Sequence, residues 1–278
     1  MNSPSHLTSI RRILVALDAS PDSLAALKIA SQLASLYGAE LIGIFVEDIN
    51  LIRLAGLPFA REIGRYSAIL RPIDKIQIER QLRAHSRWIE SILASIAVEK
   101  NLQWSFRTFR GAITDELLSA ARDTDLILLG RSGWSGRRRL GSTARQLAVQ
   151  SPIQAMILSR QLSPRTKLLL IYDGSELSQK ELEAARILGE NIESPDVVLL
   201  AASSERADQL RSEVESTLVG LQNLKYFWLR SLDLERLSQI LSSEGCELIV
   251  LPATSPHFDV DTLLGVLDES KCAVLIVR

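Results

Sequence analysis

The residues of this sequence best suited to chemistry lie in one short stretch: Gly130-Arg131-Ser132-Gly133, then Arg137-Arg138-Arg139, then Gly141-Ser142-Thr143. Glycines let backbone N–H groups approach an anion closely, and a helix opened by Gly141-Ser142-Thr143 leaves its first donors unpaired and partly positive. The hydroxyls of Ser142 and Thr143 add further donors. The chemistry of such a stretch is the holding of phosphate. A plainer reading stays open, in which the glycines only turn the chain and Ser142 caps a helix. The three arginines taken alone would be a solvated face.

Other reactive patterns are missing. There is no Gly-x-x-x-x-Gly-Lys-Ser/Thr, no Gly-x-Ser-x-Gly elbow and no His-Glu-x-x-His. His6, His85 and His257 are far apart in sequence, and His85 falls on an apolar helical stripe, where packing or an interface explains it better than base catalysis. Cys246 and Cys272 sit beside apolar runs without a Cys-x-x-Cys or Cys/His cluster, so they read as reduced core thiols rather than metal ligands.

The elements that must position the glycine-rich stretch follow from hydrophobic patterning. Ile13 to Leu17 is a short β-branched run of the kind that is buried on both faces of a parallel sheet. It ends in Asp18-Ala19-Ser20-Pro21, where Ser20 suits an N-cap and Pro21 the first helical position; Ala26, Ile29, Ala30 and Leu33 repeat at helical spacing until Gly38. A second strand is predicted at Leu41 to Val46. A long helical stripe runs through Ile78, Leu82, His85, Ile89, Ile92 and Ile96. Strands are predicted at Trp104 to Phe109, Leu126 to Leu129 and Ala155 to Leu158, with helices opened near Thr114 and Thr143 between them. Five strands alternating with helices make an α/β, doubly wound parallel sheet.

The order then begins again. Leu168 to Ser175, LLLIYDGS, repeats Ile13 to Ser20, ILVALDAS; Glu247 to Leu251 repeats Asp125 to Leu129; Ala273 to Val277 closes like Ala155 to Ser159. The chain of 278 residues therefore divides into a first domain at 1–160, a linker at 161–166 and a second domain at 167–278. The offsets between matching segments shrink along the chain, so the first copy carries an insertion near 49–72, which joins apolar residues to Arg53, Arg61 and Arg65. A lid, a dimer contact, a surface-binding segment and plain packing against the long helix are all compatible with that composition.

Charge separates the halves. Before Thr166 there are 22 basic and 14 acidic residues, and from there on 10 and 19, for a net charge of −1. The basic excess is spread out and is not interleaved with aromatics, so a nucleic-acid partner is not expected. Nowhere do 18 apolar residues run together, and the first ten are polar, so neither a membrane span nor a signal peptide is expected and the expected location is the cytoplasm.

Two segments, ILVALDASPDSLAALKIASQLASLYGAELIGIFVED and TDLILLGRSGWSGRRRLGSTARQLAVQSP, resemble the universal stress protein family over nearly the whole first half. In the second half KLLLIYDGS, CELIVLP and AVLIV hold the same strand positions, which makes a tandem pair. The resemblance implies the adenine nucleotide alpha hydrolase-like fold, two five-stranded sheets each in the order 3-2-1-4-5. It also implies a site for ATP or another adenine nucleotide, with or without magnesium, at the switch point between strands 1 and 4. Gly130, Arg131, Gly133, Gly141, Ser142 and Thr143 would hold the phosphates, Asp18 would meet ribose or adenine, and the backbone of Val46 would meet the adenine edge. Asp18 equally suits a turn-forming aspartate beside Ser20. Between Gly133 and Gly141 stand seven residues, two fewer than the family's pattern.

The second half keeps Asp173-Gly174-Ser175 but has Pro252-Ala253-Thr254-Ser255-Pro256-His257 in place of the glycine loop, and its two prolines lack N–H donors. It is expected to bind no nucleotide. The function expected from the resemblance is a stress-response or signalling module that works by binding, with at most slow hydrolysis, acting on a protein partner not named by the sequence and with homodimer formation left open. The alternative is an interaction protein of the same fold that binds no nucleotide.

Overall fold

The structure, a computed structural model, describes residues 10–63, 70–132, 140–158, 166–188, 192–218 and 224–278. The first half opens with β1 (Arg12–Leu17), α1 (Pro21–Tyr37) and β2 (Glu40–Asp48). As the sequence predicts, Ser20 is extended and its hydroxyl oxygen accepts the Ser23 N–H, Pro21 begins the helix, and Gly38 ends it at φ 63°. The half continues through α2 (Ile49–Ala55), β3 (Arg61–Ile63), β4 (Leu70–Pro72), α3 (Lys75–Glu99), β5 (Trp104–Gly111), α4 (Ile113–Ala121), β6 (Leu126–Gly130), α5 (Ser142–Gln150) and β7 (Gln154–Leu158).

The insertion, illegible in the hydrophobic pattern, is a two-turn helix and an antiparallel hairpin. Asp48 caps α2 by accepting the Asn50 N–H, and β3 pairs with β4. Only Ile52 and Ala55 of α2 are buried, while Leu54, Leu57 and Phe59 are exposed.

The second half repeats the series as β8 (Thr166–Tyr172), α6 (Glu176–Leu188), β9 (Ile192–Leu200), α7 (Ser204–Thr217), β10 (Lys225–Leu229), α8 (Leu234–Glu244), β11 (Leu248–Pro252), α9 (Val260–Glu269) and β12 (Ala273–Val277). Each half has the strand order 3-2-1-4-5. The two sheets do not stay separate: β7 pairs antiparallel with β12, Leu275 opposite Met156, and the result is one ten-stranded sheet in the order β10-β9-β8-β11-β12-β7-β6-β1-β2-β5.

Strand alternation sorts the core into two layers. Ile13, Val15 and Leu17 face one side, with α1, α3, α6 and α7; Leu14, Ile127 and Leu129 face the other, with α4, α5, α8 and α9. Both layers run through both halves. The joining strands β7 and β12 are buried within these shared layers.

Candidate functional site

The loops after β1 and β6 diverge where the winding of the first half reverses, and a cavity of about 300 Å³ opens there. Its apolar walls are Ala16, Ile44, Val46, Ile113, Leu117 and Leu129; its polar side holds Asp18, Ser20, Ser132, Ser142 and Thr143. Most of the residues singled out in the sequence meet at this cavity: Asp18, Val46, Gly130, Arg131, Gly141, Ser142 and Thr143 all line it. Gly133, with Arg137 to Arg139, lies outside the described residues.

Asp18 follows β1, and its carboxylate accepts the Ser20 N–H at 2.9 Å at the edge of the cavity. This turn sets Ala19 at φ 65°, a left-handed conformation that costs a non-glycine residue about 1 kcal/mol or more. The equivalent position in the second half is Gly174, at φ 78°. Gly130 is required by close approach: a Cβ there would stand 2.8 Å from Asp22 and from the Ser23 backbone N. The end of β6 thus lies against the first turn of α1.

The N-cap of α5 is Gly141, which has no side chain to bond the first turn, and Gly141, Ser142, Thr143 and Ala144 all line the cavity. The first amides of a nine-residue helix, with the positive end of its dipole, therefore face an open space rimmed by hydroxyls. The residues present combine apolar walls, against which a ring would pack, with uncapped amides suited to an anionic oxygen.

Arg131 is a different case. Its backbone borders the cavity, but its guanidinium is buried and donates to the carbonyl oxygens of Ser270 at 2.6 Å and Asp268 at 2.7 Å, in the second half. Sequence reasoning also passed over Asp22, whose carboxylate accepts from Ser132, and the apolar walls at Ile113 and Leu117; the acidic first turn of α1 was the available signal for Asp22.

The corresponding place in the second half is built otherwise. Ser255, in the loop after β11, donates its hydroxyl to Asp173 Oδ2 at 2.6 Å, so the two loops are tied together. Burial pushes the Asp173 carboxyl up, but hydrogen bonds from Ser175 and Ser255 outweigh it and hold its pKa below the usual range. The helix that follows, α9, is capped by Asp259, whose carboxylate accepts the N–H and hydroxyl of Thr262 at 2.8 Å each. An aspartate at the N-cap and another at Asp261 fill with negative charge the position where α5 has bare amides.

The model of the universal stress protein family matches residues 9–159, more than half of the chain, and the cavity lies within that span. The chain belongs to the universal stress protein family. It is of the tandem, two-domain type. A universal stress protein from Archaeoglobus fulgidus DSM 4304 has a similar fold, with a TM-score of 0.71 at 14% identity over 97% of each chain. A functionally unknown protein from Pseudomonas aeruginosa PAO1 is similar at a TM-score of 0.61 and 15% identity, covering 99% of this chain and 94% of that one. At such identities the likeness is one of fold. No curated protein matches in sequence. As a universal stress protein the chain has a doubly wound α/β sheet, doubled and fused. Among the described residues no helix is long and apolar enough to cross a membrane, and no group of three or more His, Cys, Asp or Glu stands ready to hold a metal ion.

Proposed function

We propose that this universal stress protein binds an adenine nucleotide, ATP in the first place, in its first domain and acts as a stress-response or signalling module through that binding. The observation that carries the reading is the uncapped start of α5 at Gly141, facing an apolar-walled cavity at the switch point of the sheet. The base would lie between Val46 and the Ile113–Leu117 wall, the ribose near Asp18, and the phosphates at Gly130, Gly133, Gly141, Ser142 and Thr143. Magnesium, where it accompanies the nucleotide, would supply charge neutralisation. The domains divide at 1–160 and 167–278, and the second, with Ser255 bonded to Asp173 and Asp259 at its helix start, takes no nucleotide in this manner.

Turnover is not part of the proposal. Among the described residues lining the cavity the titratable side chains are Asp18 and Arg131, and the guanidinium of Arg131 is engaged elsewhere. With binding as the function, at most slow hydrolysis is expected.

The test is a calorimetric titration of ATP into the full chain and into Ser142→Pro. Proline is tolerated at the first helical position, and Gly141, at φ −65° and ψ 153°, already has the conformation a residue before proline prefers. The substitution removes one amide and one hydroxyl from the cavity and leaves the helix. We expect one nucleotide per chain for the parent and binding weaker by about tenfold or more for Ser142→Pro, since at least one charge-assisted hydrogen bond is lost. Absence of ATP binding by the parent would overturn the reading and favour an interaction protein of the same fold, for which the exposed Leu54, Leu57 and Phe59 of the insertion are the specific argument.

A further inference from the structure

Both stems of the glycine-rich loop are fastened to one helix of the other half. On the outgoing stem, Arg131 is 8% exposed and donates to the Asp268 and Ser270 carbonyls at the C-terminal end of α9. On the returning stem, the Leu140 N–H donates to Asp268 Oδ1 at 3.3 Å, and the Arg145 guanidinium, in α5, pairs with Asp268 Oδ2. The two stems are also joined to each other, the Gly141 N–H donating to the Arg131 carbonyl at 2.9 Å. Near its far end α5 is held as well, since the Arg278 guanidinium donates to the Ala148 carbonyl.

An arginine at a helix C-terminus meets unpaired carbonyls and the negative end of the dipole. The Arg131 contact is therefore favourable as a fastening, and it withdraws the guanidinium from the cavity. Asp268 binds three groups at once: its carbonyl takes Arg131, one carboxylate oxygen takes the Leu140 amide and the other takes Arg145. Leu140 immediately precedes Gly141, whose uncapped helix forms the anion-facing side of the cavity. A shift of Asp268 would move those amides together.

We propose that the C-terminal end of α9, with Asp268 as its hub, is a positioning element of the first half's anion site, so that the second half sets how tightly the first holds its ligand. This rests on the nucleotide reading of the cavity. Asp268 touches no ligand; it acts through Leu140, Arg131 and Arg145. Linkage makes the effect reciprocal: occupancy of the cavity strengthens the hold on α9, and a partner that draws α9 away weakens binding of the nucleotide.

The experiment compares the full chain with Asp268→Ala, Asp268→Asn and Asp233→Ala, the last removing the side-chain cap of α8 in the same half but away from the loop. Amide hydrogen exchange over residues 140–145 without ligand, and ATP affinity by calorimetry, are read together. We expect exchange in that segment to quicken and ATP affinity to fall, each about tenfold, in Asp268→Ala. Asp268→Asn keeps an acceptor for the Leu140 amide and should fall between, while Asp233→Ala should change neither. Unchanged exchange in Asp268→Ala, or an equal loss in Asp233→Ala, overturns the proposal. If the parent binds no ATP, the nucleotide reading falls by itself, and the exchange data still decide whether Asp268 positions the loop.

Discussion

The Asp22 carboxylate accepts both the backbone N–H of Ser132, at 3.0 Å, and its hydroxyl, at 2.6 Å. One side chain in the first turn of α1 thus fixes the first turn of the loop after β6. Charge-assisted hydrogen bonds of this kind are stronger than neutral ones. We expect Asp22→Ala to cost about 1–2 kcal/mol of stability, measured by urea unfolding, with the loss confined to the folding free energy and no change in m-value.

Gly130 meets the same turn of α1 from the other side. A methyl group there would press on Asp22 and on the Ser23 backbone at 2.8 Å, and backbone does not yield as a flexible side chain does. Gly130→Ala should therefore destabilise the chain by about 2 kcal/mol. Because the collision widens the junction of β1 and β6, ATP binding should weaken with it. A melting temperature equal to that of the parent would contradict this.

Glu181 is fully buried in α6, and neither carboxylate oxygen has a hydrogen-bond partner among the described residues. Burial, with Asp173 nearby, raises its pKa well above 4.5. A carboxyl whose folded pKa is raised stabilises the fold fully below the unfolded value, and that stabilisation is lost as pH rises through the folded value. Glu181→Leu, similar in volume, should raise the melting temperature, and the gain over the parent should grow as pH rises from 5 to 8. A gain that does not vary with pH would show that Glu181 has the same pKa folded and unfolded.

The cysteines should be inert. Cys246 and Cys272 are buried and form no disulfide, the Cys272 thiol donates to the Cys246 carbonyl, and burial with Asp196 nearby pushes the Cys246 thiol up to about 12. Iodoacetamide should label neither at pH 8 in the folded chain and both after denaturation. Rapid labelling of the native protein would refute the packing described for this pair.

The central strands were legible because they are buried on both faces and so read as unbroken apolar runs. Ile13 to Leu17 and Leu126 to Leu129 announce themselves in this way, and Ser20, Pro21 and Gly38 mark the ends of α1 through cap chemistry that is local in sequence. The insertion was not legible, since α2 buries only Ile52 and Ala55 and so has no stripe to detect. The glycine loop could be located but not the target of Arg131: its acceptor Asp268 is 137 residues away, and no local rule distinguishes a guanidinium that faces a ligand from one that caps a distant helix. The fusion of two sheets into one was equally hidden. It depends on the pairing of β7 with β12, both of which look like ordinary closing strands.

That antiparallel pairing gives the particle two poles. Within each half all strands of the large sheet run the same way, but the halves run against each other, so the carboxyl ends of β1 and β6 lie at one pole and those of β8 and β11 at the other. The same reversal sets the tail of α9 beside the first half's cavity and the tail of α5 beside Arg278. A ligand seated at one pole therefore leaves the opposite pole, where Ser255 spans to Asp173, uncovered, and the two ends of a single slab can meet different molecules at the same time.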